Sequence, residues 1–270
     1  QRGFKVLVAG GLGAQPFLAQ TAFEFLHEDR IIPFIEAAVR VFDRYGERTN
    51  RHKARLKYLV AKIGLAEFLK LTEQEEVAVL NKAFIINRNA IKPAALSKET
   101  VFTTFKPADE KAYSDWKATN TFQQKQEGYF GVYIKVLLGD IDTKRARELA
   151  RIVKTYAADD LRITINQGFL LRFVKAEALL PLYNELKKLD LVTPGFDSVA
   201  DITACPGTDT CNLAISNSTH ISVELEKVIY EEFPELIYNH DIKIKISGCM
   251  NSCGQHGLAQ IGFHGSSFKS

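Results

Sequence analysis

No stretch of this sequence holds the roughly 18 consecutive apolar residues that a membrane-crossing helix needs, so no spanning helix is expected. An excess of either charge is missing too. Thirty-five Lys and Arg against 32 Asp and Glu leave a net +3, which implies no bulk attraction to nucleic acid or to a membrane surface. The opening residues, Gln1-Arg2-Gly3-Phe4, lack the basic start, apolar centre and cleavage site of a secretory signal. They also lack an initiating Met and enter a strand-like run at once, so the chain is expected to begin inside a longer protein. Short-period repeats and low-complexity segments are absent. The remaining composition, 46% hydrophobic and 25% charged over 270 residues, suits one large or two small globular domains and excludes extensive disorder.

The hydrophobic pattern implies an α+β fold. Phe4–Ala9 reads as a short buried strand, followed by Gly10-Gly11-Leu12-Gly13 and an expected helix through Leu26. Helices are expected from about Ile32 to Tyr45 and Asn50 to Ile63, the second with Leu56, Leu59, Val60 and Ile63 on one face. Periodicity weakens over 72–126, which holds Pro93, Pro107 and the single Trp, and this stretch is read as a linker. From about Gly128 to Leu191 the pattern is β-α-β-β-α. Phe130, Val132, Ile134, Val136 and Leu138 alternate, Asp142 can cap the next helix, and Leu161, Ile163 and Ile165 alternate again. Gln167-Gly168 reads as a turn into Phe169–Val174. Beyond Pro194 come a short strand leading to Cys205, a helix near Ser222–Phe233 and the strand Ile242–Ile246 leading to Gly248. A last strand ends at Phe263-His264, with no closing element after it, so a C-terminal piece is expected to be missing as well.

Cysteine is scarce and confined. The four, Cys205, Cys211, Cys249 and Cys253, form C-x5-C and C-x3-C pairs separated by 37 residues. A secreted disulfide framework is usually denser and sits in a shorter chain, so these thiols point to a metal or cluster site in the cytoplasm, where thiols stay reduced. Four thiolates suit an iron–sulfur cluster. Structural zinc suits C-x3-C but fits C-x5-C poorly. Two disulfides, or four inert core cysteines, are the remaining readings. Gly207, Gly248 and Gly254 permit loops that turn around the corner of a cube, with backbone amides free to donate to sulfur.

The text Ala204-Cys205-Pro-Gly-Thr-Asp-Thr-Cys211-Asn-Leu-Ala214, followed by Ser247-Gly248-Cys249-Met250-Asn251-Ser252-Cys253-Gly254-Gln255, resembles the signature of sirohaem-containing nitrite and sulfite reductases. Ala259–Gly265 is similar to the family's continuation. Gly3–Gly13 and Asn50–Tyr58 resemble the end of its first sirohaem-binding half, and 128–191 resembles its second ferredoxin-like repeat. Met250 departs from the pattern, which commonly has proline there. The resemblance implies a ferredoxin-like α/β sandwich lobe (127–194) between parts of two mixed α/β sirohaem- and cluster-binding halves (1–71 and 195–270), with the linker at 72–126. It implies that all four cysteines hold one [4Fe-4S] cluster and that Cys253 also bridges to the sirohaem iron. The implied activity is the assimilatory-type six-electron reduction of nitrite to ammonia or of sulfite to sulfide, with a ferredoxin or flavoprotein as donor. The family's substrate-binding Arg and Lys residues come largely from an N-terminal half that this chain mostly lacks, so no catalytic residue is assigned. The alternatives are a folded fragment without cofactor or activity, and a zinc-binding structural module.

Other candidates carry plainer readings beside the functional ones. Gln167 resembles a glutamine facing the cofactor cavity, or is a turn residue. Asn251, between two ligands, can donate to sulfur or to the sirohaem edge. Arg48, Arg51, His52, Lys53, Arg55 and Lys57 can pair with sirohaem carboxylates or an acidic ferredoxin, or form a solvated helix face. Gly10, Gly11 and Gly13 lack the third glycine of a dinucleotide fingerprint, with Pro16 in its place, and read as a tight strand-to-helix turn or a close approach to the macrocycle. His256 and His264 can relay protons or serve as structural groups.

Overall fold

The computed structural model describes residues 1–79, 106–158 and 160–267. They belong to two compact units, one within Gln1–Lys92 and one within Pro93–Ser270.

In the first unit, strands β1 (Gly3–Val8) and β2 (Gln20–His27) pair antiparallel, followed by helices α1 (Ile31–Tyr45), α2 (Leu56–Ile63) and α3 (Leu65–Val79). Ala9, Val41, Leu59, Val60 and Phe68 form the core between them. The helix expected up to Leu26 is instead strand β2. Two register shifts, between Phe4 and Val6 and between Val6 and Leu7, break the two-residue period of the pair. The glycine segment therefore turns strand into strand rather than strand into helix, and Gly11 and Phe17 exchange both backbone hydrogen bonds at 3.0 Å. Helix α2 starts later than expected, because Asn50 caps a separate 3-10 turn over Arg51–Lys53.

In the second unit, α4 (Glu110–Asn120) leads into β3 (Thr121–Gln123), β4 (Tyr129–Ile134), α5 (Thr143–Tyr156), β5 (Leu161–Ile163), β6 (Phe169–Lys175) and α6 (Leu179–Lys187). The sheet order is β3-β4-β6-β5 and every pairing is antiparallel. This is the ferredoxin-like arrangement, with β3 beside β4 in the place a closing strand usually takes. Asp142 caps α5 by accepting from Lys144 N and Arg145 N. Leu161 packs against the core, but Ile163 and Ile165 are 82% and 70% exposed, so the alternation at this sheet edge does not mark a buried face.

Both described ends of the expected 72–126 linker are helical: α3 runs to Val79 and α4 begins at Glu110. Its middle, including Pro93, lies outside the described residues. Trp116 of α4 is fully buried, its ring centroid 5.1 Å from that of Tyr183 and 5.9 Å from that of Tyr113. Replacing it leaves a large void that its stiff neighbours fill only in part. Trp116→Ala is expected to cost about 3–5 kcal/mol, read as a lower urea midpoint with an unchanged slope.

The same unit continues through β7 (Thr203–Ala204), α7 (Ser218–Glu232), β8 (Ile244–Ser247) and β9 (Ile261–His264), a parallel sheet in the order β7-β8-β9. Val199, Ala200, Ile202, Ile244 and Ile246 pack with Ile229 and Ile237 to form its core.

Candidate metal centre

Parallel pairing decides where the cysteines emerge. β7 and β8 run side by side, with Ala204 opposite Ile246, and both finish at the same end of the sheet. β7 runs directly into Cys205, and β8 ends two residues before Cys249. The first loop turns through a 3-10 segment, Gly207–Asp209, and Cys211 N donates to Gly207 O at 3.0 Å. It is then tied to the second loop: Ile215 N and Ser216 N both donate to Gly248 O, at 2.7 and 3.1 Å. Gly207 has φ +56°, and a Cβ on Gly248 would stand 2.7 Å from the Gly207 Cα, so the two loops meet through glycines because no side chain fits between them.

The four thiols are free. Cys249 is buried, Cys205 and Cys211 are half-buried and Cys253 is exposed. Burial works against the Cys205 thiolate, but donors overcome it. Gly248 N lies 3.0 Å from Cys205 Sγ, the Ser218 hydroxyl lies at 3.5 Å, and the amides of Gly207 and of Cys205 itself add to them, so this thiol is held below its usual range. Cys253 moves the other way. Partial burial of its sulfur pushes this thiol up, and the charges of Cys205, Cys249 and Cys211 push it further. Such mutual repulsion is relieved by a cationic centre that binds them together. Among the described residues no three or more His, Cys, Asp or Glu side chains gather closely enough for a single ion. One tetrahedral zinc needs sulfurs about 2.3 Å from a common point, whereas a cube with iron and sulfide at alternate corners holds its four thiolates wider apart.

Asn251 is exposed between the two cysteines of the second loop, and Met250, the departure from the family pattern, is 49% exposed beside it. His256 and His264 face each other with ring centroids 4.8 Å apart, and burial, then His264, holds the His256 imidazole below its ordinary value. Gln167 is a turn residue with φ +63°, and its side-chain amide reaches Ala204, the residue before Cys205. The basic residues of 48–57 divide within the first unit. Lys57 is buried and donates to the carbonyls of Gly11, Leu12 and Gln15 at 3.3, 3.0 and 2.6 Å, and Arg55 donates to Leu12 O at 2.7 Å, so both hold the glycine loop. Arg48 pairs with Asp43 at 2.7 Å, while Arg51, His52 and Lys53 stay exposed on their 3-10 turn. Two residues that the sequence did not single out support the segment leading into the first cysteine loop. Lys135 and Glu226 form a buried ion pair at 2.7 Å, and no local motif links partners 91 positions apart.

Residues 1–79 match the family described as "Nitrite and sulphite reductase 4Fe-4S domain", and residues 122–189 match "Nitrite/Sulfite reductase ferredoxin-like half domain". The first matched stretch contains no cysteine; all four lie at 205–253. The chain is 26% identical over 270 residues to the chloroplastic ferredoxin–nitrite reductase of Zea mays, covering 97% of this chain and 43% of that protein. It is 27% identical over 267 residues to sulfite reductase [ferredoxin] 1 of Mycolicibacterium paratuberculosis, covering 97% of this chain and 44% of that one. The solved structure of the Mycobacterium tuberculosis NirA protein superposes with a TM-score of 0.72 at 26% identity, over 99% of this chain and 45% of that one. The chain thus spans less than half the length of the relatives it matches. With two domains of one family on separate stretches, and likeness in sequence and fold along nearly the whole chain, the protein belongs to the nitrite and sulfite reductase family.

Proposed function

We propose that Cys205, Cys211, Cys249 and Cys253 hold one [4Fe-4S] cluster, and that this chain is the cluster-bearing part of a sirohaem-dependent reductase of nitrite or sulfite. The observation that carries the reading is the placement of four free thiols on two glycine-joined loops at one end of a parallel sheet. In this proposal 195–270 is the cluster half, 127–194 the ferredoxin-like lobe and 1–71 the end of the first sirohaem-binding half. Cys249, deepest of the four, anchors the cluster to the sheet, and amide and hydroxyl donors stabilise charge on Cys205. Cys253, facing outward, is the thiolate placed to reach a second group, and we assign it the bridge to sirohaem. When bound, sirohaem supplies an iron with an open face for the oxyanion and the multi-electron chemistry itself. The electron donor is a ferredoxin, the alternative that the relatives' names support, or a flavoprotein. The thiols require a reducing compartment, for which the cytoplasm is proposed; no described helix is long and apolar enough to cross a membrane.

The test is an ultraviolet–visible spectrum of the chain after anaerobic reconstitution with iron and sulfide, with iron and zinc analysis of the same sample. A brown protein with about four irons per chain and no zinc is expected for a four-thiolate cluster site. A colourless chain that binds one zinc instead would overturn the reading.

A further inference from the structure

Strand β7 is only two residues long and lies at the edge of its sheet. On one side it is bonded to β8, where Cys205 N donates to Ile246 O at 3.1 Å. Alternation along a strand turns Ala204's N–H and C=O the opposite way. There they meet a single side chain. Ala204 N donates to Gln167 Oε1 at 3.0 Å, and Gln167 Nε2 donates to Ala204 O at 3.0 Å. The amide of Gln167 therefore supplies both bonds that a fourth strand would supply.

The backbone of Gln167 shows what this placement costs. Its φ of +63° lies in the left-handed region, where a non-glycine residue is disfavoured. Glycine would adopt that turn freely, yet it could not reach Ala204. The neighbouring Asn166 grips the same incoming segment, donating through Nδ2 to Asp197 Oδ1 at 2.8 Å and to Asp201 Oδ2 at 3.3 Å. The Thr164–Gly168 turn of the ferredoxin-like lobe thus holds the strand that presents the first thiol.

We infer that Gln167 is a positioning residue for the iron–sulfur cluster, acting through Ala204 to fix Cys205 where Gly248 N can donate to its sulfur. The inference rests on the cluster reading above. Loosening β7 weakens the 3.0 Å contact from Gly248 N to Cys205 Sγ. A sulfur that loses a donor stabilises the reduced cluster less, so the potential falls.

The experiment uses the full chain, reconstituted anaerobically, as parent, Gln167→Leu and Gln167→Glu. Leucine removes both bonds, whereas ionised glutamate keeps the acceptor for Ala204 N and loses the donor to Ala204 O. The glutamate variant carries the comparison if the leucine variant does not fold. Both variants are expected to reach parent-like iron content, to lose the cluster to a chelator about 10-fold faster, and to show a more negative cluster midpoint potential. A contact that served only the lobe's stability would lower the melting temperature and leave the potential alone. Parent-like potential and chelator resistance in both variants overturn the inference while the cluster reading stands. A parent that takes up no cluster overturns both.

Discussion

Cys253→Ser is expected to abolish a stable cluster while leaving the apo chain as stable as its parent. Serine is nearly isosteric, but its hydroxyl stays protonated where a thiol becomes a thiolate, and the thiolate is the ligand. Three thiolates and a neutral hydroxyl cannot offset the four-iron charge as four thiolates do. Cys253 is exposed, so its exchange removes almost no packing, and the stability change in the apo chain should stay within about 0.5 kcal/mol. Cys249→Ser should lose the cluster equally, but with a measurable cost to the apo fold, because Cys249 is buried against the loop core. The measurement is iron per chain and visible absorbance after reconstitution, beside urea melts of the unreconstituted proteins. Parent-like iron and absorbance in Cys253→Ser would remove this residue from the ligand set and with it the proposed bridge. Equal stability losses for both variants would say that these cysteines serve packing rather than ligation.

The parts of this fold that were legible in the sequence are those whose buried faces are apolar. Strand β4, helix α5 and helix α6 announce themselves through residues such as Val132, Ile134, Leu149, Val153, Leu182 and Leu186, all buried in one core. Helix α3 does not. Its buried positions are Phe68, Thr72, Glu76 and Val79, a helical stripe whose two middle members are polar. Thr72 is satisfied by donating to Phe68 O at 2.8 Å, and Glu76 by two bonds from Arg30 at 3.0 and 2.9 Å, so the stripe is buried without being hydrophobic. Helix α4 hides in the same way, burying Trp116 beside Thr119 and Asn120. Asn120 Nδ2 donates to Thr193 O at 3.0 Å, and Thr119 Oγ1 accepts from Gly195 N at 2.8 Å. Strand β2 was masked by its bulges. At the candidate site the cysteine spacing spoke for itself, because ligand chemistry fixes residue type. The supports behind it were legible only in part: Gln167 was a candidate by resemblance to a cavity-facing glutamine, but its bonds to Ala204, like the bond of Glu226 to Ile202, go to backbone groups far away in sequence, and any residue supplies a backbone group.

Removing one member of the buried Lys135–Glu226 pair is expected to cost far more than removing both. Lys135 is 5% exposed and donates to Glu226 Oε2 at 2.7 Å, to Ala200 O at 2.5 Å and to Tyr230 Oη at 3.0 Å. Glu226 Oε1 accepts from Ile202 N at 3.0 Å, one residue before β7. Burial raises the Glu226 carboxyl above its ordinary value, and Lys135 opposes that rise. In Lys135→Met the opposition is gone and the Glu226 carboxylate is left buried without its cation, with the charge of Asp201 pushing it further up, a loss of about 3–5 kcal/mol near neutral pH. Glu226 can escape part of it by taking a proton. The folded variant then binds more protons than the unfolded chain, whose glutamate titrates near pH 4.3, so stability must fall as pH rises between that value and the raised folded one. The deficit of Lys135→Met relative to the parent should therefore shrink at about pH 5 and grow toward pH 8, the reverse of ordinary acid destabilisation. Lys135→Met with Glu226→Leu should recover most of the loss and narrow the pH dependence to the part that comes from Asp201, a buried carboxyl that Lys135 also faces, keeping about 1–3 kcal/mol for the orphaned Ile202 N–H. Urea melts of the parent, both single variants and the double variant at the two pH values decide it. Additive losses, or a Lys135→Met deficit that ignores pH, would mean that Glu226 is solvated in solution. The support for the strand entering Cys205 would then come from Gln167 alone.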